Sequence, residues 1–146
     1  LKHPLRMVYF TKRYFPKSFS RIYKLILFHN ILEVCDINDK VIIKVLGKEV
    51  LKYLKILTVD RKMQSNFNYL KDYYTLIVGS PECLLVKVID KYDNLFDLKI
   101  NSDINVKKNY IKEVEIFLKP RIDSKNVFNK VFLKNISYNK NLLNEK

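Results

Sequence analysis

The chain has 146 residues, 48% of them hydrophobic, and a formal net charge of +13. That length suits a single domain, and the apolar fraction excludes wholesale disorder, because enough surface can be buried to offset the entropy lost on folding. Two cysteines, Cys35 and Cys83, are too few and too far apart for a disulfide scaffold or a four-ligand zinc site.

In chain order, the first predicted element is a basic N-terminal arm over residues 1–30. Its only apolar stretch, residues 25–28, is far too short to span a membrane, so no transmembrane segment is expected. The last predicted element is a basic C-terminal tail over residues 137–146. The sequence between them predicts one folded domain over residues 31–136.

The middle of the chain predicts a mainly β domain. It contains no alanine and many β-branched and aromatic residues, a composition that favours strands. Short apolar runs alternate with polar turn signals, and residues 60–68 predict a polar loop. The predicted strands are residues 31–34, 41–45, 73–78, 83–90, 95–100, 114–118 and 127–136, while residues 50–59 fit a helical face as well as a strand. Roughly seven or eight short strands with frequent turns predict a small β-barrel or sandwich.

The net charge is unevenly divided along the chain: residues 1–32 carry +7, residues 33–118 carry +1 and residues 119–146 carry +5. An electrically ordinary domain with cationic extensions suits a polyanion, because each phosphate that a cation neutralises releases counterions. Aromatic side chains interleave with these cations, and an exposed ring can stack on an unpaired base. The predicted RNA-binding side chains are Lys12, Arg13, Tyr14, Lys17, Arg21, Lys107, Lys108, Tyr110, Lys119, Arg121, Lys125 and Lys130.

Catalytic chemistry has little support in the sequence. The two histidines, His3 and His29, both lie in the basic arm, where the sequence supplies no partner, so His29 is interpreted as a packed or surface histidine. Cys35 is interpreted as a small buried side chain rather than a nucleophile. No phosphate-binding glycine loop, dinucleotide turn or metal-ligand motif occurs. We therefore expect no enzyme activity, no small-molecule substrate, no metal and no cofactor.

Several short segments resemble, in order, the bacterial type of large-subunit ribosomal protein twenty-one. Val78-Gly79-Ser80-Pro81 is similar to that family's Gly-x-Pro turn, and residues 85–91 are similar to the valine-rich strand that follows it. The other similar segments are residues 37–41, 56–59, 73–76, 107–110 and 128–136. The family's N-terminal Gly-Gly-Lys-Gln element has no counterpart, and residues 111–118 replace part of its basic loop.

The resemblance implies a small β-barrel that packs on large-subunit ribosomal RNA and on neighbouring ribosomal proteins without performing catalysis. A divergent member rich in lysine and asparagine fits an organellar ribosome, in the mitochondrial matrix or alternatively in a plastid. The sequence thus predicts a structural constituent of such a ribosome.

Two other classes of function stay open. One is a peripheral subunit of a mitochondrial membrane complex, whose basic arm lies on anionic lipid through its cations and its aromatic and leucine side chains. The charge of +5 on residues 119–146 favours the RNA alternative, because a one-sided membrane contact does not need it. The other is a small nuclease-like enzyme, which the absence of a histidine–carboxylate cluster in the sequence disfavours.

Overall fold

A computed structural model describes residues 2–98 and 100–144. The structure is 82% helical, and no strand occurs among these residues. The predicted mainly β fold, with its small barrel or sandwich, is therefore wrong, and the protein is all-α. The segments predicted as strands lie in helices, except for Lys99, which lies outside the described residues, and Ile100, which lies in a turn.

Nine α-helices account for most of the described chain. They are α1 (Lys2–Tyr14), α2 (Pro16–Phe28), α3 (Ile31–Val34), α4 (Asp39–Leu46), α5 (Lys48–Leu57), α6 (Phe67–Val78), α7 (Pro81–Leu98), α8 (Ile104–Glu113) and α9 (Val127–Asn144). Two 3₁₀ turns (Arg61–Met63 and Lys119–Arg121) and one π-helical turn (Val114–Leu118) complete the helical segments. The chain forms two compact units, residues 1–89 and residues 90–146, and α7 contributes residues to both.

Helical spacing explains why α5 forms despite the strand-favouring composition. Leu51, Leu54 and Leu57 are buried at intervals of three residues, whereas Lys52 and Lys55 are exposed. A period near 3.6 residues places the leucines on one face of a helix and the lysines on the other. Burial of that apolar face outweighs the weak intrinsic preference of the individual residues.

The polar signals that predict turns between strands begin helices instead. The Asn38 side chain accepts a hydrogen bond from the Lys40 amide at 2.8 Å at the start of α4. Asn66 accepts from the amides of Asn68 and Tyr69 at 3.0 and 3.1 Å, and Asp103 caps α8 in the same way. Each cap satisfies backbone donors that have no partner within the helix.

In unit 1, the predicted N-terminal arm folds as a hairpin of α1 and α2. Met7 on α1 and Ile22, Leu25 and Ile26 on α2 are at most 1% exposed. Helix α5 packs against α2, α3, α4 and α6. The Tyr73 hydroxyl of α6 donates to the carbonyl of Leu57 at 2.7 Å, which satisfies the last turn of α5. The hairpin therefore belongs to a packed core rather than to an unsupported extension.

Unit 2 is built around an aromatic cluster. The ring centroids of Tyr92 and Phe128 lie 4.6 Å apart, and Phe132 lies 5.8 Å from Tyr92. Phe128 and Phe132 are 2% and 0% exposed. The cluster joins the second half of α7 to α9, while α8 also packs on α9.

Gly47 separates α4 from α5 and has a φ of 100°, the one positive value in the described residues. Side chains other than glycine's avoid this region of backbone conformation. Gly47 therefore lets the chain pass from one helix to the next without an intervening loop.

Candidate nucleic-acid interface

The tip of the α1–α2 hairpin brings together the first group of predicted RNA-binding residues. Only Phe15 separates the two helices, and its amide donates to the Thr11 carbonyl at 2.8 Å. This tight reversal places the last turn of α1 beside the first turn of α2. The four side chains of the hairpin tip, as we call this surface, are Lys12, Arg13, Tyr14 and Lys17.

Arg13 is held in position by two tyrosines. Its Nη1 donates to the Tyr9 hydroxyl at 2.8 Å, and its guanidinium lies over the Tyr14 ring at 5.5 Å from the centroid. The hydrogen bond and charge of Tyr9 raise the pKa of Arg13 above its usual range, so the group stays charged. A guanidinium fixed in this way loses less side-chain entropy when it binds a phosphate.

The lysines at the hairpin tip, Lys12 and Lys17, are exposed. Within the described part of the chain, no acidic side chain pairs with Lys12 or Lys17, and residues 1–32 contain no acid. Arg21, one turn further along α2, is different because its Nε lies 3.2 Å from Glu82. The structure therefore separates three uncompensated cations at the tip from one that takes part in an ion pair.

The second predicted group lies on α8 in unit 2. Lys108 is exposed, whereas Lys107 is half-buried and lines a cavity of about 200 Å³ with Leu98, Ile104 and Ile111. Asn139, Leu142 and Leu143 line its other side. Its lining is mainly aliphatic, so most of its surface offers no hydrogen bond to a ligand.

Tyr110 on the same helix is half-buried and lies against a lysine of α7. The Lys91 ammonium lies 4.1 Å from its ring centroid, and Lys91 also contacts Glu113 at 2.9 Å. Burial, followed by the charges of Asp90 and Glu113, raises the pKa of the Tyr110 hydroxyl well above its usual value. The Lys91 ammonium therefore lies over the ring of this half-buried tyrosine.

The third predicted group is spread over the end of unit 2. Lys119 lies 3.6 Å from Glu115, which also contacts Lys140 at 3.0 Å, so this predicted cation shares its carboxylate with a lysine outside the predicted group. Arg121, Lys125 and Lys130 are exposed, respectively in a 3₁₀ turn, in the following loop and on α9.

The structure also brings together two residues that the sequence analysis treats separately. The Nε2 atoms of His3 and His29 lie 3.3 Å apart. His29 is 2% exposed, and its Nδ1 lies 2.8 Å from the Ile26 carbonyl. The feature of the chain that brings them together is the α1–α2 hairpin. Its two helices have 13 residues each and reverse direction at Phe15 and Pro16, so the first turn of α1 lies beside the end of α2.

The two cysteines have different surroundings. Cys35 is exposed, so its predicted burial is wrong, whereas Cys83 is fully buried. Cys35 follows the four-residue helix α3, which has no buried side chain. Burial raises the pKa of the Cys83 thiol, and the Ser80 hydroxyl lowers it to a smaller extent.

None of the described helices is long and apolar enough to cross a lipid bilayer. Comparison of the chain with protein-family models, curated proteins and solved structures gave no match. The resemblance to ribosomal protein twenty-one therefore stays a prediction, while the barrel that it implies is wrong.

Proposed function

We propose that the protein binds the phosphate backbone of a folded RNA through the hairpin tip and serves as a structural constituent of a ribonucleoprotein particle. The observation that carries this proposal is the group of three exposed cations, Lys12, Arg13 and Lys17, at one tight helical reversal, where none of the acids in residues 2–98 and 100–144 pairs with them. Phosphates supply most of the non-specific affinity for such a surface.

The packing of the hairpin favours this function. Because Met7, Ile22 and Ile26 are buried, the backbone that carries the cations is ordered before it meets its partner. A preformed surface binds without the ordering cost that an extended basic segment pays. Cations that contact phosphates position a protein on RNA, but they do not by themselves read a base sequence.

We propose, as the sequence predicts, that this particle is an organellar large ribosomal subunit. The partners are then ribosomal RNA and neighbouring ribosomal proteins. The second basic region, residues 119–146 with a charge of +5, supports a protein that contacts RNA at more than one place. In this proposal the role is structural, the protein performs no catalysis, and its location is the mitochondrial matrix or a plastid.

The test replaces the cations at the hairpin tip and measures RNA binding against salt. The triple variant Lys12→Gln, Arg13→Gln, Lys17→Gln removes three positive charges from exposed positions. If each charge meets one phosphate, the slope of log affinity against log salt should become shallower by about 2 to 3, at roughly 0.7–0.9 per contact. The matched control is Lys40→Gln, Lys44→Gln, Lys52→Gln, which removes the same charge from exposed positions on α4 and α5.

Equal slopes for the two triple variants would show that only net charge matters and would overturn the proposed interface. A second measurement follows the intact protein in lysate, where it should sediment with heavy particles and be released by ribonuclease. The membrane alternative has one observation in its favour, since Leu5 and Tyr9 on α1 are 58% and 56% exposed. Co-sedimentation that survives ribonuclease but is lost in detergent would favour that alternative.

A further inference from the structure

The two histidines of the chain meet where the hairpin of α1 and α2 closes at the end opposite its tip. His3 lies in the first turn of α1, and His29 directly follows α2. Their ring centroids are 5.2 Å apart, their planes are inclined by 66°, and their Nε2 atoms are separated by 3.3 Å. Both Nε2 atoms therefore face the same small volume.

The tautomer of His29 is fixed by its other nitrogen. Its Nδ1 lies 2.8 Å from the Ile26 carbonyl oxygen, and a carbonyl can only accept, so Nδ1 carries the proton and donates. In neutral His29 the lone pair is then on Nε2, the atom that faces His3. A backbone carbonyl that accepts from the remote nitrogen is the usual outer support of a metal-binding imidazole.

We propose that His3 and His29 form a binding site for a divalent transition-metal ion, with Zn²⁺ as the ion that fits best. Two imidazole nitrogens at about 2.0–2.1 Å from zinc, separated by a tetrahedral angle, lie about 3.3–3.4 Å apart. The observed separation of 3.3 Å matches this value. Imidazole ligands select zinc, copper or nickel over magnesium and calcium, which take oxygen ligands.

The burial of the pair provides both support and access. His29 is 2% exposed and is held rigidly, whereas His3 is half-buried and leaves an approach from solvent. The two imidazoles supply two of the four positions of a tetrahedral ion. Because the ligands are 26 residues apart, a bound ion would join the first turn of α1 to the end of α2.

A simple hydrogen bond between the rings gives the same distance. In that arrangement the Nε2 proton of His3 points at the lone pair of His29. Zinc binding requires His3 to carry its proton on Nδ1, so that both Nε2 lone pairs face the ion. The two arrangements differ in a measurable way, because the hydrogen-bonded pair alone gives no saturable, stoichiometric affinity for zinc.

The experiment uses the full chain carrying Cys35→Ser, because an exposed thiol can bind zinc by itself and would add to the measured binding. With only two histidines in the chain, the side-chain nitrogen spectrum of ¹⁵N-labelled protein has two imidazole systems. On titration with Zn²⁺, both Nε2 resonances should shift together and saturate at one ion per chain. Mg²⁺ at the same concentration should shift neither.

The affinity is then compared in His3→Gln and His29→Gln by calorimetry. Each substitution should weaken Zn²⁺ binding by at least about tenfold, and Zn²⁺ should raise the melting temperature only of the protein that keeps both histidines. His29 is buried, so His3→Gln is the variant that keeps the test independent of folding. Unchanged affinity in His3→Gln, a shift of only one imidazole, or binding of several ions per chain would each overturn the proposal.

Discussion

The Lys91 ammonium lies 2.9 Å from a carboxylate oxygen of Glu113, and the two side chains are only 7% and 11% exposed. The pair joins α7 to α8 inside unit 2, and the Tyr110 ring lies beneath the same ammonium. Ions buried in this way have lost most of their hydration, so each depends on the other.

Removing one charge of this pair should destabilise the protein strongly. In Glu113→Gln the Lys91 ammonium stays buried without its counter-ion, and we expect the free energy of unfolding to fall by about 3–5 kcal/mol in urea denaturation. The double variant Lys91→Met, Glu113→Leu should recover much of that loss, since neither charge is then desolvated. As the control, Lys140→Gln breaks an exposed pair and should cost less than about 1 kcal/mol.

Alkaline pH should destabilise the protein partly through Tyr110. Because burial raises the pKa of its hydroxyl, the unfolded chain releases this proton at a lower pH than the folded protein does. The contribution of Tyr110 to the free energy of unfolding is therefore fully present below about pH 10. It is lost as the pH rises from there toward the pKa of the folded protein. Unfolding measured between about pH 8 and 11 should show a shallower decline in Tyr110→Phe than in the wild type. The exposed Tyr138 provides the control, and a decline equally reduced in Tyr138→Phe would contradict this assignment.

The aromatic cluster should contribute much of the free energy of unfolding of unit 2. Phe132 is fully buried against Tyr92, and Phe132→Ala should lower the free energy of unfolding by about 3–5 kcal/mol. Val131 is the adjacent residue on α9 but is 38% exposed, so Val131→Ala should have a much smaller effect. Comparable losses in the two variants would show that α9 is not oriented as described.

The cap of α6 provides a local test of the helical fold. Asn66 accepts from two backbone amides, and Asn66→Ala should cost about 0.5–2 kcal/mol of stability. Asn66→Asp keeps the acceptor and should retain most of the stability. Asn68→Ala, in the first turn and exposed, is the matched control. A cost at Asn68 equal to that at Asn66 would mean that the cap is not formed.

Asparagine and aspartate explain why the fold class could not be predicted here. The capping residues of α4, α6 and α8 are Asn38, Asn66 and Asp103, respectively. Asparagine and aspartate are equally common in a turn between two strands. Without alanine, local composition then favours strands. The opposing signal is the helical spacing of apolar residues, which occurs in the leucines of α5 and also in α6, where Leu70, Tyr73, Tyr74 and Ile77 are buried.

The candidate site could be predicted in part. The division of charge follows from local sequence. Residues 60–68 are exposed, as a polar loop would be, but Arg61–Met63 form a 3₁₀ turn and α6 already begins at Phe67. The position of Tyr110 depends on Lys91, which is 19 residues away in the sequence and meets the ring only through tertiary packing. The His3–His29 pair likewise depends on the α1–α2 reversal, so neither residue alone indicates it.

The backbone conformation of Gly47, between α4 and α5, is one that L-amino acids avoid. A Cβ atom there would meet no atom within 4 Å, so the obstacle to L-alanine is the φ of 100° and not a lack of space. A D-amino acid adopts this mirror-image backbone readily, whereas an L-amino acid does not. No L-residue can replace this glycine without strain, although the surrounding room would admit one.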